Sequence, residues 1–590
     1  MSEANSPFEL LKEEMESDEI YIRVNAIHRL RIVATLMGPE LVKSTLLPYI
    51  DNLIKKEEDE VLFAIAQEIE NLSQFMQGNQ TTLLPNLELL ASSEETVVRD
   101  MAVKTLVNIA NQLGEYEIQN FYVPLILRLA TNDTNFTCRV SAVNLMCNIY
   151  TRSGQHKEKI RNKFIELCGE ETPMVRRAIA QKIGELAIVI EKEYVLNQLI
   201  QSVKQLISDE QDLVRVLVLN SLKLIAKVLK KDENKQHTLP IIIAATEDKS
   251  WRVRLSLSKS FSEIAEAFGE EGDNVSLIQI FTNLLRDAES DVRIASIQSL
   301  AKFVKILSPE KLGIIVPHLQ YLAKDFVPQV RSGVTNVISI IVGILPKELT
   351  STKLLSYIID LFDDECKEVR QGATKAAAKF AECLGPDSLK TLIPFFKKSV
   401  EDTKWRVRIE AYEGLANIAK YFHVFIYIFH FFYIQKKKNN DIFLNSIEPL
   451  FMTYIKDRVS VVRENTSEKL PQLILTYKDW ATGKLFKQLQ DSLYKENGYL
   501  QRQTSLYALK ILAMNISPEV AIDKIVPIFI KHLSDGVPNI RFSTIKYFKE
   551  IAAKIENQNV LNDIKTNISN LINDSDKDVK YFAQECLKQL

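Results

Sequence analysis

The chain has 590 residues, with 74 Lys or Arg against 76 Asp or Glu, and its net charge at pH 7 is −2. This balance argues against a dominant nucleic-acid-binding surface, which would need an excess of basic residues. The six cysteines are scattered without a C-x-x-C pair, which argues against a disulfide framework and a zinc site. The first residues are polar and acidic, unlike a secretory signal peptide. We therefore expect a cytoplasmic protein that is also nuclear.

A motif of the form D-x-x-x-x-V-R recurs along the whole chain at intervals close to 39 residues. Clear copies are DEQDLVR (209–215), DKSWRVR (248–254), DAESDVR (287–293), DTKWRVR (402–408) and DGVPNIR (535–541). With divergent copies included, the arginine position falls at 23, 62 (Leu62), 99, 139, 176, 215, 254, 293, 331, 370, 408, 463, 502, 541 and 580 (Lys580). A period of this length indicates a stacked helical array.

Each repeat contains the pattern of two helices. After the motif, apolar residues recur with helical spacing, as in Val253, Leu257, Phe261 and Ile264, so that one face of a second helix is apolar. A first apolar stretch precedes the motif, and in six repeats it carries a proline 14 residues before the arginine position, at Pro85, Pro240, Pro317, Pro394, Pro449 and Pro527. Because proline lacks an N–H, we expect it to start or kink the first helix.

In chain order, repeats 1 to 8 occupy 8–310, repeats 9 and 10 occupy 311–385, and repeats 11 to 15 occupy 386–590. A single helix pair of this size leaves an apolar face exposed, so neighbouring repeats must stack to bury it. There is no Gly/Ser-rich or Pro-rich linker, and the whole of 1–590 is predicted to be one all-α solenoid, curved into a superhelix.

The aspartate and arginine of the motif predict a ladder along one edge of the solenoid. Each arginine is expected to bind the turn aspartate of an adjacent repeat and thereby fix the angle between repeats. An isolated surface ion pair contributes only about 0–1 kcal/mol to stability. A structural role is therefore favoured by the repetition of the pair along the chain. Where the aspartate is replaced, by Lys56, Glu170 or Glu496, we expect a weaker ladder.

The sequence contains no recognisable enzymatic motif, and its seven histidines lie far apart. We therefore predict no catalytic residue, no cofactor and no metal, and we expect the turns between paired helices to bind other proteins. Trp251 and Trp405 lie in two of these turns, each followed by an arginine. They either pack on a neighbouring turn or form exposed contacts of the type that dominates interface energetics.

The interval between Arg408 and Arg463 is 55 residues, and the extra residues include the apolar and Lys/Asn-rich stretch 423–440. Its apolar run is shorter than the roughly 20 residues that a membrane-spanning helix needs. A loop, a peripheral membrane contact and intron sequence carried into the gene model remain open, and we favour the last. We expect no membrane span.

Several turns resemble those of the HEAT-repeat scaffold (A, 65-kilodalton regulatory) subunits of serine/threonine protein phosphatase 2A. The resemblance runs over the whole chain and rests on EEDEVLFAIAQEI (57–69), EETVVRD (94–100), ETPMVRRAIAQKIGELA (171–187), DKSWRVR (248–254), DTKWRVR (402–408) and DKDVKYFAQECL (576–587). It implies a horseshoe-shaped, non-catalytic scaffold of about 15 HEAT repeats in a heterotrimer. Repeats 11 to 15 would bind the catalytic subunit, repeats 1 to 8 an interchangeable regulatory B subunit, while repeats 9 and 10 would form a flexible centre.

The resemblance also implies contact residues at matched turn positions. For the catalytic subunit these are Trp405, Arg406, Val459, Tyr499 and Arg502. For the regulatory subunit they are Pro173, Met174, Arg177, Ser250, Trp251 and Arg252. Arg502 also occupies the ladder position, so a structural role competes with binding there.

Two other classes of protein remain as alternatives. A nuclear-transport receptor of the importin-β type, or another HEAT adaptor, would share the repeat, but the receptor should have a longer chain and an acidic cargo-binding loop. A helical-repeat enzyme would need a convergent polar site, which the sequence does not indicate.

Overall fold

The structure is a computed structural model that describes residues 6–269, 275–384, 386–428, 443–495 and 498–590. The chain forms two compact units, Met1–Leu307 and Ser308–Leu590. In the described ranges all regular elements are helices, and they follow the predicted pairs, so the prediction of an all-α helical-repeat solenoid is confirmed.

In the first unit, each of repeats 1 to 8 has a first and a second helix. The first helices are Pro7–Met15, Leu47–Ile54, Leu84–Leu90, Val123–Ala130, Lys157–Leu167, Ile200–Leu206, Leu239–Thr246 and Val275–Leu285. The second helices are Ile20–His28, Asp59–Glu68, Thr96–Gln112, Phe136–Ile149, Pro173–Val189, Asp212–Val228, Trp251–Ala267 and Ser290–Phe303. Further helical segments precede or extend them at Leu30–Met37, Pro39–Leu41, Val42–Leu46, Ile69–Phe75, Gln80–Leu83, Glu115–Glu117, Ile118–Tyr122, Tyr150–Arg152, Gly154–His156, Lys192–Tyr194, Val195–Leu199 and Lys231–His237.

The second unit contains repeats 9 to 15. Its first helices are Pro309–Leu322, Leu355–Leu361, Pro386–Val400, Glu448–Ile455, Phe486–Lys495, Val526–His532 and Gln558–Ser569. Its second helices are Pro328–Ile341, Lys367–Leu384, Trp405–Ile428, Ser460–Thr476, Tyr499–Asn515, Pro538–Ala552 and Lys577–Leu587. The further segments are Lys347–Leu349, Thr350–Leu354, Phe443–Ile447, Lys478–Trp480, Ala481–Leu485, Pro518–Lys524 and Asn570–Asn573.

Four of the six prolines lie at the start of a first helix, as predicted. Pro85, Pro240, Pro449 and Pro527 are each the second residue of a helix. Pro317 and Pro394 instead lie inside longer helices. In repeat 12 a π-helical turn, Phe443–Ile447, runs directly into the helix that contains Pro449. The same kind of π-helical turn precedes the first helices Ile200–Leu206 and Leu355–Leu361, which contain no proline, so proline does not determine it.

The apolar stripe of each second helix forms the core. In repeat 7, Val253, Leu257, Phe261 and Ile264 are all essentially inaccessible to solvent, which confirms the predicted helical face. The ring of Phe261 packs against the next repeat, with its centroid 5.2 Å from that of Phe303. Burial of such side chains contributes roughly 1.5–3 kcal/mol each and is shared between neighbouring repeats.

Small residues bring successive second helices close together. The hydroxyl of Ser221 donates to the carbonyl oxygen of Ala180 on the preceding second helix at 2.7 Å. A Cβ atom at Gly184 would lie only 2.8 Å from the carbonyl oxygen of Ser221, so this position requires glycine or a shift of the helix. The same kind of hydroxyl-to-carbonyl bond joins Thr105 to Ala66 at 2.8 Å.

The predicted ladder is present in both units. Its bidentate pairs, with one oxygen–nitrogen distance of 2.6–2.7 Å in each, are Arg176–Asp209, Arg215–Asp248, Arg254–Asp287, Arg331–Asp364, Arg370–Asp402 and Arg408–Asp457. Arg541 and Asp574 form a further pair at 2.8 Å. Each arginine therefore bridges its own repeat to the next, as the sequence predicted.

The replaced ladder positions behave in different ways. In repeat 2, Lys56 stands where the motif has aspartate. Arg23 of repeat 1 pairs instead with Glu57 at 3.2 Å and with Glu58 at 2.8 Å, so the link from repeat 1 to repeat 2 is kept. Arg139 makes a single contact with Glu170 at 3.2 Å, which agrees with a weaker link. Glu496 lies outside the described residues.

The ladder is also interrupted at repeats 2 to 4. Leu62 occupies the arginine position of repeat 2 and cannot form an ion pair. Arg99 in repeat 3 is buried, and its guanidinium donates to the Ser93 and Glu94 carbonyls and to the Thr96 hydroxyl of its own repeat. In the part of the chain that the structure describes, no carboxylate holds repeat 3 to repeat 4 through Arg99.

The inserted stretch 423–440 falls mostly outside the described residues, which resume at 443. The second helix of repeat 11 continues to Ile428. Arg408 and Asp457 nevertheless form the same bidentate pair as their counterparts, with Nε 2.6 Å from Oδ2, although 49 residues separate them. The extra residues thus leave the register between repeats 11 and 12 intact. Across the described ranges, none of the helices has the length and apolar character that crossing a membrane requires.

Candidate protein-binding surface

The turns between paired helices place the predicted contact residues at the start of the second helices. In repeat 7 the extended backbone of Ser250 is followed by Trp251, the first helical residue. Trp251 is 36% exposed, and the Arg252 guanidinium carbon lies 5.6 Å from the centre of the indole ring. A cation over an exposed indole is a favourable contact of about 0.5–1 kcal/mol, and it presents a flat surface to solvent.

Asp212 of repeat 6 holds this surface in place. Its Oδ2 accepts a hydrogen bond from the Ser250 hydroxyl at 3.0 Å and lies 3.3 Å from Arg252 Nη1. The Ser250 hydroxyl bond and then the Arg252 charge hold the pKa of the Asp212 carboxyl below its ordinary value, against the opposing effect of burial. The carboxylate is therefore charged at neutral pH and orients both neighbours.

In repeat 5, Pro173 is the first residue of the second helix, and the following Met174 is 46% exposed. The Arg177 Nη1 atom lies 3.4 Å from the Met174 sulfur, so the guanidinium is folded against the thioether. Arg177 Nε is buried and has no hydrogen-bond partner among the described residues. Arg177 and Arg252 line the same depression, of about 470 Å³, so the predicted residues of repeats 5 and 7 are brought together across repeat 6.

Repeat 11 repeats the arrangement of repeat 7. Trp405 is the first residue of its second helix and is half-buried, and Arg406 is exposed. The Arg406 guanidinium carbon lies 4.6 Å from the centre of the Trp405 indole ring. Below this pair, Arg408 is buried in the ladder, so the turn is anchored while its outer side chains are accessible.

In repeats 12 and 13 the predicted residues divide by role. Val459 caps its second helix and is half-buried, and its N–H donates to Asp457 Oδ1 at 2.8 Å. Tyr499 begins the next second helix and is 40% exposed. Arg502, in contrast, contacts Asp535 Oδ1 through Nη2 at 3.1 Å, with its side chain 18% exposed. The structure thus gives Arg502 the ladder role that the sequence left open, beside the exposed Tyr499.

An acidic depression of about 250 Å³ on repeats 12 to 14 was not predicted from the sequence. Its lining residues include Glu464, Glu468, Tyr507 and Tyr547. Burial and then the nearby carboxylates raise the pKa of the Tyr507 phenol. The sequence feature that could have indicated this depression is the pair of glutamates one helical turn apart on the second helix of repeat 12. Among the residues that the structure describes, no three His, Cys, Asp or Glu side chains are grouped to hold a metal ion.

Comparison with known proteins gives several curated relatives with related names. The chain is 35% identical over 268 residues to the PP2A regulatory A subunit of Schizosaccharomyces pombe, and the match covers 45% of each chain. The chain is similar in sequence to A subunits of phosphatase 2A. The human 65 kDa regulatory A subunit, beta isoform, is 33% identical over 372 residues, covering 62% of each chain. The Saccharomyces cerevisiae regulatory A subunit is 32% identical, covering 45% of this chain and 44% of the relative.

In each case the match spans less than two thirds of the length of the relative. The similarity to the scaffold subunits of phosphatase 2A, inferred from the turns, is confirmed by these relatives. Their names describe regulatory subunits, which agrees with the interpretation of this chain as a non-catalytic one.

Two family models match short parts of the chain. They are described as the PIK3R4-like middle domain, over residues 190–315, and the vacuolar 14 Fab1-binding region, over residues 500–590. Among solved structures, a chain from a structure of Kap95p with RanGDP is similar with a TM-score of 0.62 at 13% identity, covering 98% of this chain and 75% of that one. Importin β crystallised in ammonium sulfate gives 0.61 at 13% identity, with 98% and 76% covered. At this identity the likeness shows the fold alone.

Proposed function

We propose that this chain is a non-catalytic scaffold subunit of protein phosphatase 2A that assembles a heterotrimer. The observation that carries the proposal is the set of relatives named as A subunits of phosphatase 2A, at 32–35% identity. The scaffold would direct Ser/Thr dephosphorylation by holding the phosphatase and a specificity subunit together. Catalysis and any metal chemistry would belong to the phosphatase catalytic subunit.

The catalytic subunit would bind repeats 11 to 15, residues 386–590. Support comes from Trp405 and Arg406, which form a half-exposed aromatic and cationic pair at the start of a helix. Trp, Tyr and Arg are the residue types enriched at interface hot spots. Val459 and Tyr499 extend this surface along the following turns, while Arg502 supports it from the ladder.

A regulatory B subunit would bind repeats 1 to 8, residues 8–310. Trp251 and Arg252 form the corresponding pair, which Ser250 and Asp212 hold in place. Pro173, Met174 and Arg177 would extend the surface to repeat 5, where Met174 offers an exposed, adaptable apolar contact. Repeats contact only their neighbours, so the two binding regions can be altered separately.

The proposal is tested by purifying the tagged chain from its own cells and identifying co-purifying proteins by mass spectrometry. We expect one phosphatase catalytic subunit, together with at least one regulatory subunit, in near-stoichiometric amounts. Recovery of a Ran-type GTPase and transport cargo, without a phosphatase, would favour the nuclear-transport alternative. The importin-β likeness does not by itself favour that alternative, because at 13% identity it concerns the fold only.

A further inference from the structure

The second helices of repeats 3 to 7 form one continuous face that contains two depressions. One depression, of about 470 Å³, is lined by the second helices of repeats 3 to 5, and the other, of similar volume, by those of repeats 5 to 7. Arg177 lines both of them and joins them into a groove. We call this face the second-helix groove.

The second-helix groove carries an excess of cations. Its lining includes Arg99, Lys104, Arg177, Lys182, Arg252 and Lys259, against the carboxylates Asp100 and Asp212. Asp212 is already engaged by Ser250 and Arg252. Lys182 is compensated by Glu185 at 2.8 Å.

Four of these cations have no carboxylate partner within the described ranges of the chain. They are Arg99, Lys104, Arg177 and Lys259. Arg99 is only 7% exposed, and its Nε has no hydrogen-bond partner from any described residue. Uncompensated charges of one sign along a groove attract an anionic partner and raise its association rate.

A row of polar side chains crosses the groove, one from each second helix, five residues after the ladder position. In order from repeat 3 to repeat 7, the row consists of Lys104, Asn144, Gln181, Asn220 and Lys259. A carboxamide both donates and accepts hydrogen bonds, as a peptide unit does. The row thus combines groups that can bind a peptide backbone at its centre with cations at its two ends.

The spacing of the row suits an extended chain. Packed helices lie about 8–10 Å apart, and an extended chain advances roughly 3.3 Å per residue. Each helix therefore faces about three residues of an extended peptide, and the five-helix row spans about 12 residues. Apolar side chains also line the groove, and they are Val103, Val140, Met174, Val216 and Leu255.

We propose that the second-helix groove binds an extended, acidic segment of a protein partner. The amides would contact its backbone, and Lys104, Arg177 and Lys259 would contact its carboxylates. This inference rests on the proposed function, because Met174, Arg177 and Arg252 also belong to the proposed regulatory-subunit surface. It adds the chemistry that the bound segment must have.

The test uses fluorescence anisotropy with the full chain and a labelled peptide of about 12 residues that alternates Glu and Ala, the length of the row. A second peptide with Lys in place of Glu serves as the charge control. We expect saturable binding of the acidic peptide that weakens as salt is raised, and weaker binding of the basic one. Lys104→Glu combined with Lys259→Glu should lower the affinity for the acidic peptide at least about tenfold.

A matched control makes the same charge change outside the groove. Lys159→Glu combined with Lys305→Glu alters two exposed lysines of the same unit and should change the affinity less than about twofold. Circular dichroism checks that both double variants keep their helix content. Equal loss in the two double variants, or tighter binding of the basic peptide or of a single-stranded RNA, would overturn the inference.

The outcome for the proposed function is read separately. The same proteins are tested for capture of two purified partners, a regulatory subunit in one assay and the catalytic subunit in another. Absence of acidic-peptide binding with both subunits still captured would overturn the groove inference and leave the scaffold proposal standing. Peptide binding without capture of either subunit would support the groove and contradict the scaffold.

Discussion

Arg215 and Asp248 join repeats 6 and 7 through two parallel hydrogen bonds, with Nε 2.7 Å from Oδ2 and Nη2 2.8 Å from Oδ1. The side chains are only 5% and 11% exposed. The Asp248 hydrogen bond raises the pKa of the Arg215 guanidinium above its ordinary value. Arg215 also donates to the carbonyl of Asp209 in its own turn at 2.7 Å, so one side chain fixes two successive turns.

Replacing Arg215 with Ala should therefore destabilise the junction between repeats 6 and 7. Asp248 would be left as a largely buried carboxylate without its partner, a change that costs about 2–4 kcal/mol. Hydrogen exchange measured by mass spectrometry should show faster exchange in the helices Asp212–Val228 and Trp251–Ala267, because repeats unfold locally. Arg252→Ala, whose side chain is 65% exposed, should change the exchange little. Unchanged exchange in Arg215→Ala would mean that the ladder does not stabilise the array.

The ladder also predicts acid sensitivity. Burial alone would raise the pKa of the Asp402 carboxyl, but hydrogen bonds from Arg370 and the Lys404 N–H outweigh it, and the pKa is lowered. A carboxylate with a lowered folded-state pKa contributes stability that is fully present above the unfolded value of about 3.9 and is lost as pH falls through the folded value.

We expect helix content to be constant from neutral pH down to about pH 4 and to fall below it. Asp402→Asn keeps the side-chain oxygen but removes the titrating charge, so it should lower stability at neutral pH and flatten the acid transition. Asp523→Asn, on an exposed surface, is the control. Circular dichroism across the pH range measures the acid transitions. Identical transitions in the wild-type chain, Asp402→Asn and Asp523→Asn would contradict a contribution of Asp402 to acid sensitivity.

Buried cysteines give a further prediction. Burial raises the pKa of the Cys147 and Cys168 thiols to about 12, and that of Cys586 to about 11. Because the thiolate is the reactive form, these residues should react slowly with a maleimide in the native protein. Cys366, which is half-buried, should be labelled first. Peptide mapping after timed labelling measures the order, and early modification of Cys147 would contradict its burial in the second helix of repeat 4.

The sequence predicted the repeats and the ladder because both depend on local patterns. The apolar spacing after Val253 defines a helix by itself, and the six-residue offset between Asp209 and Arg215 recurs in most repeats. The motif pattern did not predict how the structure adapts where a motif residue is replaced. Lys56 stands where the motif has aspartate, and the neighbouring Glu57 pairs with Arg23 in its place. Whether Glu57 can reach Arg23 depends on the backbone path of the turn, which the sequence pattern does not define.

Contacts between helices of different repeats were also beyond the sequence. Ser221 and Gly184 meet across two second helices, and nothing in either local sequence indicates the partner. The residues proposed to bind partners were inferred from family resemblance. The structure places Trp251 and Trp405 in equivalent half-exposed positions, and it places Arg502 in the ladder. The assignment of each surface to one partner stays a prediction, because a half-exposed side chain alone does not identify what binds it.

The N-terminal surface is tested by Arg177→Ala and Trp251→Ala. Each variant should weaken regulatory-subunit binding, with a loss of roughly 2 kcal/mol for a hot-spot residue, while binding of the catalytic subunit is unchanged. Affinity measurements with each purified partner separate the two effects. Loss of both partners together would indicate a folding defect, and unchanged affinity for the regulatory subunit would exclude these turns from its interface.

Under the proposed function, repeat 11 helps to hold the phosphatase catalytic subunit on a non-catalytic scaffold. The most direct measurement is the affinity of the purified catalytic subunit for the wild-type chain and for the Trp405→Ala, Arg406→Ala double variant, with native helix content verified first. We expect binding to weaken by at least about tenfold in the variant, as removal of two hot-spot residues requires, while regulatory-subunit binding to repeats 1 to 8 is kept. Equal affinity of the two proteins for the catalytic subunit would contradict the role of repeat 11, and no binding by the wild-type chain would contradict the scaffold function.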